Sequence, residues 1–225
     1  MAIVSGDLLF AYAYRCLIKS LDYGIPSDRV ARAIDILTDA AITVAEGQAL
    51  DMLLPALSEV DVDKYIEMVR KKTAALFASS AAIGAVLAGA ENSVVERLKE
   101  AMINAGIAFQ IRDDILGLLG DEKVLGKPVY SDIREGKMTV LVIHTLNKVD
   151  ESKKKKLRRV LGNRNASSQE LNEAAEIIKL SGAIEYAETL AENYAKKAID
   201  TASDLNSKDR EALDMFKEVV EFMVK

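Results

Sequence analysis

In the stretch "FQIRDDILGLLGDEKVLGKPVYSDIREGKMT", Phe109 to Thr139, two aspartates stand side by side, Asp113 and Asp114. They close an apolar, helix-like run, and the residues after them supply Lys127, Arg134 and Lys137. On a helix, Gln110, Asp113 and Asp114 fall at i, i+3 and i+4, so one face presents an amide and two carboxylates. Oxygen ligands with no His or Cys nearby suit a hard cation, and Mg²⁺ is the first choice. Mg²⁺ keeps several waters and commonly bridges to substrate phosphates, so one or two carboxylates from the protein are enough. The spacing therefore suggests a metal that in turn holds a phosphate. The plain alternative is a pair of surface charges matched by Arg112, Lys123 or Lys127.

A second group lies upstream in "RKKTAALF", where Lys72 and Thr73 end the charged half of a helix that then becomes wholly apolar. A lysine and a hydroxyl at the mouth of a dry bundle are suited to phosphate oxygens. Lys127 can fold back over the same anion, and Arg134 and Lys137 are further cations whose plain alternative is helix-surface duty. His144 is the only histidine and sits in the apolar run "KMTVLVIHTL", where packing is its expected role and no chemistry is assigned to it.

The elements that must position these residues are helices. The chain has 225 residues, half of them hydrophobic, with no Trp, three prolines and twelve glycines, a composition of good helix formers with few breakers. An all-α protein in a single domain is expected, and no strand candidate, internal repeat or low-complexity linker interrupts it. The net charge of −5 argues against non-specific nucleic-acid binding, and the run Lys153–Lys156 reads as a solvated helix face. One cysteine, Cys16, implies no disulfide framework. The opening "MAIVSGDLLFAYAYRCLIKS" lacks the basic leader of a signal peptide, so a cytoplasmic protein is expected. The uncharged segment Thr73–Ala90 approaches membrane-spanning length, but it is built of Ala, Gly and Ser and reads instead as the centre of a bundle.

Periodicity and punctuation place the helices as follows. The first covers Ala2–Lys19. Ser27 caps a second that runs to about Leu54 and is stopped by Pro55. A third opens at Asp61 or Asp63 and ends near Gly89. A fourth, carrying the aspartates, is capped by Asn92 or Ser93 and ends at Gly120. A polar loop follows from Asp121 to Gly136, with a turn at Gly126–Pro128. Helices are then expected over Lys137–Lys148, on to Leu161, and over Ser168–Leu180, Ala183–Asp204 and Lys208–Val224.

Taken together, these motifs resemble a known family. The Phe109–Thr139 stretch is similar to the second aspartate-rich region of the trans-isoprenyl diphosphate synthases, the farnesyl and geranylgeranyl diphosphate synthase family. "RKKTAALF" resembles that family's Lys-Thr motif, "SGDLLFAYAY" its Gly-Asp helix and "EGQALDM" its Gly-Gln-x-x-Asp stretch; "SGAIEYAETLAENYAKKAID" is also similar. The resemblance implies an isoprenoid-synthase-type all-α bundle, usually dimeric, in which aspartates of two facing helices hold three Mg²⁺ ions on an allylic diphosphate. It implies that Asp113 and Asp114 bind Mg²⁺, and that Lys72, Thr73, Gln110 and Lys127 face the diphosphate and serve catalysis, with Lys137 a further substrate contact. The implied reaction is ionisation of the allylic diphosphate and attack by isopentenyl diphosphate.

Two departures qualify the resemblance. The family's first Asp-Asp-x-x-Asp motif and its arginine pair precede the Gly-Asp helix, and this sequence contains neither. The bundle is thus expected to be N-terminally incomplete, the C-terminal two-thirds of a synthase, as half of a split enzyme, a shortened chain or a remnant homologue. The second departure is Gly117, where the family commonly has a third aspartate; restoring it is expected to strengthen Mg²⁺ binding and the helix. The leading function is a chain of a short-chain isoprenyl diphosphate synthase, inactive alone, working as a homo-oligomer or with a separate N-terminal chain. The alternative within the family is a non-catalytic homologue that binds and regulates a complete synthase. Outside it stands a helical scaffold whose aspartates are surface charges.

Overall fold

The computed structural model of the chain describes residues 1–57, 59–119, 130–203, 205 and 210–223, and among these every regular element is helical. Helix α1 spans Ala2–Lys19 and α2 spans Ser27–Leu53. Pro26, not Ser27, occupies the cap position of α2: its fixed φ suits the entry, and no side-chain cap bond forms. Pro55 lies in a short 3₁₀ turn, Leu54–Ala56, just beyond the end of α2. Asp61 opens α3, Val62–Val69, by accepting from the backbone N–H of Lys64 at 2.8 Å.

The expected single helix to Gly89 is interrupted. Residues Arg70–Ala74 form a π turn before the helix resumes as α4, Ala75–Ala88, closed by Gly89 in the left-handed conformation at φ 81°. Periodicity does not register a one-residue insertion that leaves the helix axis nearly continuous. Helix α5 spans Asn92–Leu119, and the Asn92 side chain accepts from Arg32 of α2 rather than serving as a cap.

The expected loop to Gly136 contains a helical turn, α6, Ser131–Glu135. The turn expected at Gly126–Pro128 lies outside the described residues. After it come α7, Val140–Lys148, capped by Thr139, and α8, Glu151–Val160, capped by Asp150. Helix α9, Ser168–Lys179, begins with a reciprocal Ser167–Glu170 capping box. Helices α10, Ala183–Ser203, and α11, Arg210–Met223, complete the described chain.

Helix α5 lies at the centre of the bundle, with α10 packed along it on one side and α4 on another. Alanines make this close: Ala183, Ala187, Ala191, Ala195, Ala198 and Ala202 form the buried stripe of α10. The main core gathers Ile107, Ile111, Ile115 and Leu118 of α5 with Tyr65 and Val69 of α3 and Ile178 of α9. Helix α4 is not the centre that its composition suggests. It buries Ala75, Ala78, Ala82 and Val86 against α2 and α5, while Leu76, Ser80 and Gly84 face outward. Small residues signal close packing on the buried side, not burial all round. No described helix is long and apolar enough to cross a membrane.

Ile111 is fully buried one turn before the aspartates and fixes the rotation of α5. Ile111→Ala is expected to lower unfolding free energy by about 2–5 kcal/mol, through lost burial and the cavity left behind. Urea unfolding followed by circular dichroism measures this; a loss below about 1 kcal/mol would mean that the helix is positioned by other contacts.

Candidate functional site

One small cleft collects residues from four separated segments. It is lined by Asp51 at the end of α2, Tyr65 and Met68 of α3, Lys72 and Thr73 of the π turn, and Gln110, Asp113 and Asp114 of α5. Lys137, Met138 and Thr139, which precede α7, close it. Six of the seven residues that the family resemblance assigns to the site are therefore neighbours in space: Lys72, Thr73, Gln110, Asp113, Asp114 and Lys137. The seventh, Lys127, lies outside the described residues.

The i, i+3, i+4 spacing on α5 has the anticipated effect. Gln110 Nε2 donates to Asp114 Oδ1 at 3.0 Å and approaches Asp113 Oδ2 at 3.5 Å, while Gln110 Oε1 accepts from the Thr73 hydroxyl at 2.8 Å. The second oxygen of Asp114 accepts from the Tyr65 hydroxyl at 2.7 Å. Asp114 is buried and Asp113 half-buried, so the two adjacent carboxylates differ in access to the cleft.

The cations are already engaged. Lys72 Nζ lies 2.5 Å from Asp51 Oδ2, and Lys137 Nζ lies 2.6 Å from Asp132 Oδ1. Asp51, Tyr65 and Asp132 went unassigned in the sequence. Asp51 had a signal in the stretch "EGQALDM", but the role of Tyr65 depends on a contact 49 residues away along the chain. Arg134 is not part of the cleft: it donates to the carbonyls of Arg164 and Ala166 and ties down the chain before α9. His144 stacks on Tyr186 with ring centroids 4.4 Å apart, a packing contact.

Burial raises the Asp114 carboxyl to about 7; hydrogen bonds from Tyr65 and Gln110 oppose the rise, and the charges of Asp132 and Asp113 add to it. The same desolvation, with the Asp114 charge, pushes the Tyr65 phenol well above its ordinary value. Two neutral donors hold Asp114 where a cation would hold it better. Among the described residues no three acidic, His or Cys side chains converge to cage a metal by themselves. The donor set fits Mg²⁺: hard oxygens, one or two carboxylates, and coordination left for water and phosphate.

Gly117, one turn beyond Asp113, is not a simple loss. A Cβ built there would lie 2.8 Å from Asp132 Oδ2, so a carboxylate from α6 occupies the space of a side chain at 117.

The polyprenyl synthetase family profile matches residues 1–178. The chain belongs to the polyprenyl synthetase family. It is 46% identical to the geranylgeranyl diphosphate synthase of Sulfolobus acidocaldarius over 225 residues, all of this chain and 68% of that protein. It superposes on the crystal structure of geranylgeranyl pyrophosphate synthetase from Pyrococcus horikoshii with a TM-score of 0.85 and 36% identity, covering 100% of this chain and 67% of that one. The geranylgeranyl pyrophosphate synthase of Corynebacterium glutamicum, solved with isoprenyl diphosphate and magnesium, matches with a TM-score of 0.89 and 29% identity, over 99% of this chain and 62% of its own. The chain thus spans about two-thirds of the length of these family members.

Two expected outcomes follow from the cleft. Because the folded-state value of Asp114 lies above its ordinary 3.8, the group adds stability that is complete below about pH 4 and is lost as pH rises through about 7. The loss is on the order of 4 kcal/mol, and Asp114→Asn should remove this slope and be the more stable protein at pH 8. Denaturant midpoints from pH 4 to 8 test it; parallel curves for the two proteins would rule it out. At position 117 the helix gain expected from replacing a glycine competes with crowding of the Asp132 carboxylate. Gly117→Asp is expected to destabilise by crowding Asp132, and the penalty should shrink in an Asp132→Asn background; thermal melts of the four proteins give the comparison.

Proposed function

We propose that this chain supplies the allylic-diphosphate side of a short-chain isoprenyl diphosphate synthase, a cytoplasmic prenyltransferase. The observation that carries the reading is the cleft itself, in which Lys72, Thr73, Gln110, Asp113, Asp114 and Lys137 come together from three separated segments. Asp113 and Asp114 would hold Mg²⁺, which when bound supplies positive charge to a departing diphosphate.

The chain's own residues do the rest. Lys72 and Lys137 exchange their carboxylate partners, Asp51 and Asp132, for diphosphate oxygens; the anion is the stronger partner because it carries more charge. As the allylic C–O bond breaks, its electron pair leaves with the diphosphate and the ammonium groups stabilise the growing negative charge. The Thr73 hydroxyl and the Gln110 amide, already hydrogen-bonded to each other, would face the same diphosphate. Met68 and Met138 give that side of the cleft apolar surface that limits water. The double bond of isopentenyl diphosphate then forms the new C–C bond, and a proton leaves to the released diphosphate. Lys127 is assigned to the same anion on the family resemblance alone.

The aspartates that face this cleft in the family would come from a separate chain that bears them, because a second copy of this chain has none to offer. Helix α1 suits such an assembly: only Leu17 of its residues is buried, while Ile3, Leu8 and Phe10 are exposed. The described cleft is small, about 40 Å³, so the prenyl chain of the substrate would extend beyond it.

Inorganic diphosphate is expected to bind by calorimetry in Mg²⁺ and not in EDTA, and Asp114→Asn should weaken binding about tenfold to hundredfold with helix content unchanged. Equal binding in both buffers would defeat the metal bridge. The chain alone should form no prenyl product from dimethylallyl and isopentenyl diphosphates, gain activity when a chain bearing Asp-Asp-x-x-Asp is added, and scatter light as an oligomer. A monomer with ordinary turnover would overturn the partner requirement; binding without any gain of activity would favour the regulatory homologue.

A further inference from the structure

The π turn that carries Lys72 and Thr73 lies between two glycines, one on each neighbouring helix. On α2, a Cβ added to Gly47 would fall within the backbone of the turn, 2.6 Å from both Lys71 C and Lys72 Cα. On α5, a Cβ added to Gly106 would lie 2.6 Å from Ala74 Cα and 2.9 Å from Ala74 Cβ. Both are atoms of the turn itself, so neither contact can be relieved by swinging a long side chain aside. Not every helical glycine is confined in this way: Gly6 and Gly84 have open space where a Cβ would go.

We infer that Gly47 and Gly106 are positioning residues: their missing side chains let α2 and α5 seat the Arg70–Ala74 turn in the one register that aims Lys72 and Thr73 into the cleft. A π turn inserts one residue into a helix, and every side chain after the insertion rotates about the axis relative to an uninterrupted helix. That rotation must be held, because an isolated π turn reverts readily to α geometry. The seam with α2 holds it at three successive points. Lys71 Nζ meets Glu46 Oε2 at 3.1 Å, the Lys72 backbone meets Gly47, and Lys72 Nζ meets Asp51. Across the turn, Thr73 donates to Gln110, one helical turn beyond Gly106 on α5. Of these contacts the backbone approach is the stiffest. The Glu46–Lys71 pair is solvent-exposed and contributes little to the register.

This inference rests on the reading that Lys72 and Thr73 face a diphosphate, but one of its readouts needs no ligand. The Gly47→Ala chain is expected to lose the Thr73–Gln110 hydrogen bond, and with it the nuclear Overhauser effects between those two side chains in the free protein, while Gly84→Ala keeps both. With inorganic diphosphate and Mg²⁺, Gly47→Ala should weaken binding about tenfold or more by calorimetry. The same change in a Lys72→Met, Thr73→Val background should weaken it less than about twofold, because those side chains are already gone. An equal loss in both backgrounds, or an intact Thr73–Gln110 contact, overturns the inference. Lys71→Met adds no volume, leaves the glycine contact in place and tests the seam even if Gly47→Ala does not fold. It should keep diphosphate affinity within about twofold, and a larger loss would show that the ion pair sets the register. If the wild-type chain binds no diphosphate, the proposed function fails, and the Thr73–Gln110 contact alone decides the role of Gly47.

Discussion

A carboxylate removed from water must be neutralised, hydrogen-bonded or paired, and Asp114 is the residue on which that requirement falls. Its two oxygens are met by Tyr65 and Gln110, neutral donors that reduce the cost of burial without cancelling it, and its proton affinity rises toward 7 as a result. Much of the surrounding architecture can be understood from this one demand. Helix α3 must come close enough for a phenol to reach α5, and α5 must present Gln110 and Asp114 on the same face. The π turn must bring Thr73 to the amide oxygen of Gln110. A divalent cation would meet the demand more fully than any of these.

The cations of the cleft show the complementary arrangement. Lys72 with Asp51 and Lys137 with Asp132 are ion pairs of moderate exposure, with lysine side chains 30% and 38% accessible. Their aspartates are only 15% and 14% accessible, so on the proposed function an incoming polyanion would displace them only because its greater charge outweighs the cost of leaving them unpaired. Asp132 has a second constraint, since one of its oxygens lies where a Gly117 side chain would project. Substitution at 117 therefore acts on the Lys137 pair as well as on the metal face, and the two effects cannot be separated by reading α5 alone.

Much of this was legible in the sequence, for identifiable reasons. The i, i+3, i+4 spacing of Gln110, Asp113 and Asp114 needs only the helical period to become a shared face, and that period is strong. Lys72 and Thr73 were marked by an abrupt change from charged to apolar composition. What escaped were relations between distant segments and features that leave no periodic trace. Tyr65 is one of several tyrosines until α3 is packed on α5. The π turn displaces the pattern by one residue in a stretch where nearly every position is small or apolar. Composition also misplaced the centre of the bundle, because alanine and glycine permit close approach whether a helix is buried on one side or all round. Ser27 and Asn92 were credible caps by residue type, but Pro26 and a contact with Arg32 settled those positions.

The division of labour among the helices explains why so few positions carry so much of the site. Helix α5 contributes Gln110, Asp113 and Asp114 from one continuous helix, so their relative positions are fixed by backbone geometry, with the alanine stripe of α10 packed along it. The π turn contributes its two from a locally unusual backbone, which neighbouring helices must hold in place. Lys137 follows α6 and a glycine turn at φ 76°, which sends the chain back across the cleft before α7 begins. Rigid carboxylates, a clamped lysine–hydroxyl pair and a returning strap form three different mechanical supports around one small volume. Loss of the helix geometry would remove the metal face, whereas loss of the clamp would leave the carboxylates in place and misdirect only the groups that meet the anion. On the proposed function, the first failure would abolish diphosphate binding, whereas the second would leave the carboxylates in place beside a misplaced anion.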